Sequence, residues 1–312
     1  MDSVLFSDLL ALKLIVLVIA VIISSYLGVA VYKQNILNAT NQIFALLSIT
    51  TSVWLLIVFF SVHPGVNLIF ARLSIFLGVL HSFLLFLLLH TIPSQSIRFS
   101  TDQKIILYLL TFFVMIFSLT PFTLKSVVKL GDIMQVESGV GSYVFSIFVS
   151  YFPVWALISL WKKMKYTKNI IEKKAYLMIF GATLFFEFSM VATITIPALM
   201  LQKSFFVQFA PFYTLIFLIL TSIAIIKYKL FEIKLLMTKL LMIVIWTFTL
   251  FRVLLSATSF DFLYNLTLLT ILFIGGGWFI HLIEQDLRAR EAFEREMREL
   301  DAAAQQSAGT AA

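Results

Sequence analysis

Two ionisable side chains stand in stretches that are otherwise almost wholly apolar: His81 in FLGVLHSFLLF and Glu187 in TLFFEFSM. A carboxyl or an imidazole inside a lipid-facing segment is expensive to keep and points to function by default. His81 lies 13 positions from one end of its apolar run and Glu187 lies 13 from the corresponding end of another. At about 1.5 Å of rise per residue, both sit roughly 20 Å deep. Equal depth permits a buried His/Glu pair able to report a proton, a cation or an amine. The same pair could instead be glue between helices, with a neutral acid bonded to His81 or to a nearby serine. Other chemistry is thinly represented. The chain has no cysteine, its four histidines lack metal-site spacing, and no GxSxG, phosphate-binding loop or acidic metal cluster occurs. No catalytic residue, metal or cofactor is therefore expected, and the chain reads as a non-enzyme.

The elements that must position these two residues are membrane helices. Of the 312 residues 61% are hydrophobic and 12% charged, and the mean hydropathy is +1.02. That composition cannot coat a soluble globule. Apolar runs long enough to cross a bilayer as helices fall at 9 to 32, 41 to 61, 68 to 92, 104 to 121, 142 to 161, 176 to 200, 206 to 226, 235 to 256 and 263 to 283. The expected fold is all-α: a polytopic membrane bundle of about nine transmembrane helices, ending in a C-terminal cytoplasmic helix. The opening MDSVLFSD lacks a basic stretch, so the first span reads as a retained helix rather than a signal peptide.

Alternate connections differ in charge. Seventeen lysines and arginines fall on one set and four on the other (Lys125, Lys129, Lys203 and Arg252), while Lys13 and Arg72 lie inside spans near their ends. The positive-inside rule then places the N-terminus outside and the C-terminus in the cytoplasm. Basic residues beside spans explain the net charge of +7 without nucleic acid. The longest outer connection, FTLKSVVKLGDIMQVESGVGSYV, alternates around Gly131-Asp132 and reads as a hairpin. It either caps the helix ends or covers a pocket.

Two further features concern the last span. Gly275, Gly276 and Gly277 weaken a helix, so they serve either close helix packing or a hinge. After the span, each arginine has an acid four residues before it: Glu284 with Arg288, Asp286 with Arg290, Glu291 with Arg295 and Glu294 with Arg298. That arrangement favours helix. Phe293, Met297 and Leu300 form a short apolar seam suited to a second subunit, and a solvated helix without a partner is the alternative. The stretch from 302 to 312 is expected to be disordered.

One ordered set of short stretches resembles a known family. NQIFALLSITTSVWLLIVFF with Asn41, Phe44 and Trp54, FLLFLLLHTIP with Pro93, and AIIKYKLFEIK with Tyr228, Leu230 and Phe231 resemble the seven-helix N-terminal sensor region of bacterial membrane histidine kinases. The resemblance implies an input module of a two-component signal-transduction system. It does not extend to a kinase: no SHELRTPL-like phosphoacceptor segment, ATP-binding glycine boxes or GGDEF is present. The organisation expected is a seven-helix sensor region over 1–234, two additional transmembrane helices over 235–283, a charged connector over 284–301 and a tail over 302–312. Its partners would be the lipid bilayer, a second copy in a homodimer, and a separate cytoplasmic output domain or kinase. A secondary transporter using His81 and Glu187, and a structural membrane subunit, are the competing readings.

Overall fold

The computed structural model describes residues 2–62, 67–92, 99–130, 133–200, 203–204, 209–226, 233–256 and 258–310. His63, Pro93, Tyr228, Leu230, Phe231 and the Gly131-Asp132 turn lie outside them. For Phe293, Met297 and Leu300 the structure describes the main chain only. The described residues are overwhelmingly helical: α1 Asp2–Gln34, α2 Ala39–Val62, α3 Leu68–Thr91, α4 Thr101–Ser118, α5 Gly141–Tyr166, α6 Ile170–Met190, α7 Ile196–Met200, α8 Ala210–Ile226, α9 Ile233–Leu254 and α10 Ser259–Thr310. Among them, seven segments are long and apolar enough to cross a membrane, and the helix Ala210–Ile225 is apolar but shorter. Water would not cover such surfaces. Ile106, Leu109, Phe112 and Phe113 of α4 are all exposed, and lipid is the solvent that suits them.

The chain divides into two units, Met1–Tyr228 and Lys229–Ala312. In the first, α1 packs on α2, α2 on α3, α3 on α4 and α5, α5 on α6, and α8 on α6, α1 and α2. Hydrophobic transfer cannot drive helices together inside lipid, so small residues and hydrogen bonds must. The α1–α2 seam shows this. A Cβ on Gly28 would stand 2.9 Å from Ser48 Cβ, and Ser25 donates to Ser52 Oγ at 3.0 Å. The motif residues Asn41, Phe44 and Trp54 are all buried on α2, and Phe217 and Leu218 of α8 are fully buried.

The connection between α4 and α5 forms the expected hairpin, β1 Leu124–Leu130 with β2 Ile133–Ser138, paired antiparallel. A short third strand, β3 Lys203–Ser204, completes a sheet in the order β1-β2-β3, with Gln135 opposite Lys203. The register shifts between Leu124 and Ser126. At that irregularity Arg72 donates from Nε (3.1 Å) and Nη2 (2.9 Å) to the Leu124 carbonyl, fastening the sheet to α3.

Helix α6 does not continue regularly to 200. Residues Val191–Thr195 form a π turn, closed by the Ile196 N–H bonding to Val191 O five residues back. Pro197 follows. Its ring removes one N–H and would press on a carbonyl one turn earlier in a regular helix. The wider turn relieves that conflict.

In the second unit α9 packs on α10. A Cβ on Gly276 would fall 1.9 Å from Met242 Cε and 3.1 Å from the Trp246 ring, whereas none on Gly275 or Gly277 would meet anything within 4 Å. Close packing therefore accounts for Gly276 alone. Trp246 Nε1 donates to Leu272 O at 2.9 Å, and Lys239 pairs with Glu284. Helix α10 is continuous over 52 residues to Thr310. The main chain is thus helical on both sides of position 301, where the expected connector meets the expected tail. The reason is local: AAAQQSA lacks an apolar face, but alanine and glutamine favour helix and no breaker stands before Gly309.

Candidate functional site

A cavity of about 220 Å³ opens inside the first unit. Helix α2 contributes Trp54 and Val58, and α3 contributes Ser74, Gly78, His81 and Ser82. From α5 come Ser142, Phe145, Ser146 and Ser150, and from α6 Phe186, Glu187 and Met190. The π turn and α7 add Ile194, Thr195 and Ala198, and the hairpin closes one end with Thr123, Leu124, Val136 and Ser138. The hairpin is therefore a pocket cover as well as a cap over helix ends.

Each wall has a local cause. Gly78 leaves room opposite Phe145, to which an added Cβ would come within 3.8 Å. Ser142, Ser146 and Ser150 recur every four residues, which puts them on one face of α5. The chain re-enters α5 from the sheet through Gly139, where a Cβ would lie 2.0 Å from the Phe122 carbonyl oxygen. Only glycine fits there. The N–H groups of Gly139 and Gly141 bond to Thr123 O (3.0 Å) and Phe122 O (2.8 Å) and lock that return.

His81 and Glu187, placed at equal depth by the sequence, do line the same cavity. Among the described residues, however, no hydrogen bond or ion pair joins them. His81 Nδ1 lies 3.0 Å from Thr51 Oγ1, and the Thr51 hydroxyl also approaches Leu47 O at 2.8 Å. A hydroxyl has one proton. Given to Leu47 O, it leaves Thr51 Oγ1 to accept from His81 Nδ1–H, so Nε2 carries a lone pair. That Nε2 is buried with no partner. The imidazole is held among Phe186, Trp54 and Phe217, with ring centroids at 5.2, 6.3 and 6.4 Å. Glu187 has no hydrogen-bond partner among the described residues, which removes the simplest form of interhelical glue.

The remaining polar groups are mostly spoken for on the donor side. Ser74 donates to Ala71 O, Ser82 to Val149 O, Ser142 to Gly139 O, Ser146 to Ser142 O and Thr123 to Phe117 O, at 2.6 to 3.0 Å. Trp54 Nε1 donates to Ser74 O at 3.1 Å. What these hydroxyls offer the cavity is lone pairs. Among the described residues, the hydroxyls of Ser138, Ser150 and Thr195 have no partner. No lysine or arginine side chain lines the cavity among the described residues.

The serines of α5 were not distinguishable in sequence, because a serine within a span ordinarily bonds its own helix backbone. Their four-residue spacing was the available signal. Among the described residues no group of histidine and acidic side chains could hold a metal ion. Neither the family models, nor the curated proteins, nor the solved structures contain a match to this chain.

Proposed function

We propose that this protein is a membrane-embedded sensory module, an input part of a signal-transduction system, in which occupancy of the cavity biases helix packing and the bias leaves the membrane along α10. The observation that carries the proposal is the cavity itself: a chamber lined by His81 and Glu187, which share no bond among the described residues, and roofed by a sheet that Arg72 fastens to α3. Such a chamber can favour one packing over another only through a difference in ligand affinity. The resemblance of residues 10–234 to histidine-kinase sensor regions supports this reading, as does the charged helix beyond the last span. In the proposed arrangement nine helices cross a bacterial inner membrane, the sheet faces outward, α10 projects into the cytoplasm, and two copies meet through Phe293, Met297 and Leu300. The kinase or other output domain is a separate partner.

Because the chain has no native cysteine, a single Met297→Cys reports on this directly. Filling the cavity with Ser146→Phe should change the rate of disulfide crosslinking between copies at position 297 at least twofold in native membranes. An unchanged rate, together with solute flux in proteoliposomes that Glu187→Gln abolishes, would establish a transporter instead. The π turn beside Glu187 is the feature that would favour that outcome, since transporters build midplane sites from interrupted helices.

A further inference from the structure

We infer that the cavity is a binding site for a small organic amine, whose ammonium group meets Glu187 and whose apolar part lies against Trp54, Phe145 and Phe186. The inference rests on the sensory reading only in calling this chamber the input site; the ligand's chemistry follows from the walls. Three features of those walls agree. First, the formal charge is one-sided: a carboxyl group lines the chamber, and no cationic side chain does so among the described residues. An unpaired carboxylate at this depth is costly, and among the described residues no cation stands opposite it. Second, the polar lining accepts rather than donates. The protons of Ser74, Ser82, Thr123, Ser142 and Ser146 are already given to backbone carbonyls, and the buried His81 presents an unpartnered acceptor at Nε2. A carboxylate or phosphate ligand would find no charged donor among the described residues, only the hydroxyls of Ser138, Ser150 and Thr195. A primary ammonium, with three donors and no acceptor, has the complementary inventory. Third, aromatic faces attract organic cations, and Trp54, Phe145 and Phe186 supply them. The volume, about 220 Å³, is below the range of roughly 300–1,000 Å³ usual for drug-sized ligands, so the amine is small.

The test uses the full-length protein in lipid nanodiscs and three probes of similar size: phenethylammonium, the neutral 2-phenylethanol and the anion 3-phenylpropionate. Calorimetric titration, with empty nanodiscs subtracting partition into lipid, should show saturable 1:1 binding of phenethylammonium. Affinity for 2-phenylethanol should be at least tenfold weaker, and 3-phenylpropionate should not bind. Glu187→Gln should weaken amine binding at least tenfold. Ser146→Phe, which fills the chamber and keeps the acid, should abolish it, so the result does not depend on one variant folding. No saturable amine binding through the millimolar range, equal binding by Glu187→Gln, or preference for the anion would overturn the assignment. The position-297 crosslink separates this from the sensory reading. Amine binding without a crosslinking change leaves the site and removes the sensor, whereas a change driven by the anion or the alcohol alone does the reverse.

Discussion

Lys163 illustrates how a residue's role changes once its neighbours are known. In sequence it is one basic residue of WKKMKYTKNIIEKK and counts toward orientation. In the fold its ammonium donates to Leu89 O (2.9 Å), His90 O (3.1 Å) and Ile92 O, carbonyls at the end of α3 that lack helical partners. Lys163→Met should therefore lower stability by about 2 kcal/mol, as expected for charge-assisted bonds partly open to solvent, measured by thermal unfolding in detergent. The glycines offer a sharper contrast in sign. Gly276→Ile should loosen α9 against α10, because its branched side chain cannot fit where Met242 and Trp246 already stand. Gly275→Ala and Gly277→Ala meet nothing and should stabilise the helix by about 0.5–1 kcal/mol each. Thermal shift of the three variants checks both directions. The sequence made His81 and Glu187 conspicuous through their cost in lipid, and it made the glycine triplet conspicuous through its cost in a helix. It could not say which glycine faces a neighbour, since that depends on the rotational setting of α10 against α9.

Among the elements, the helices were legible because lipid demands long apolar runs and each of the nine anticipated segments holds a helix. The hairpin was legible as well, through alternation and turn residues. Strand β3 was not: two residues, Lys203 and Ser204, carry no pattern of their own and are strands only because β2 presents an open edge. The π turn was equally hidden, although Pro197 was in view, since a proline is compatible with a kink, an end or a widened turn. The cover over the cavity makes two predictions at this scale. Gly139→Ala should unseat the return from β2 into α5, because the methyl group would meet main chain rather than a mobile side chain. Its readout is faster amide exchange across 123–142. Arg72→Lys keeps the charge and loses the fork that binds Leu124 O twice. It should lower protection of the hairpin by about 1 kcal/mol while leaving exchange in α2 unchanged.

For the whole molecule, the division at 228/229 has a reason visible in the second unit: α9 and α10 pack on each other through Trp246, Gly276 and the Lys239–Glu284 pair. Orientation rests on the distribution of charge in the proposed topology. A membrane-impermeant thiol reagent should fail to label Arg295→Cys in intact cells and should label it in inverted vesicles. Helix α10 adds something else. It runs unbroken for 52 residues, about 78 Å at 1.5 Å per residue, and residues 286–310 continue the same spiral that begins beside α9. Removing one residue from 295–306 turns everything beyond it by about 100°, and removing seven nearly restores the original heading. If α10 transmits the proposed signal, its readout should respond to such deletions periodically, gaining and losing alignment with the helical repeat rather than fading steadily as residues are taken away.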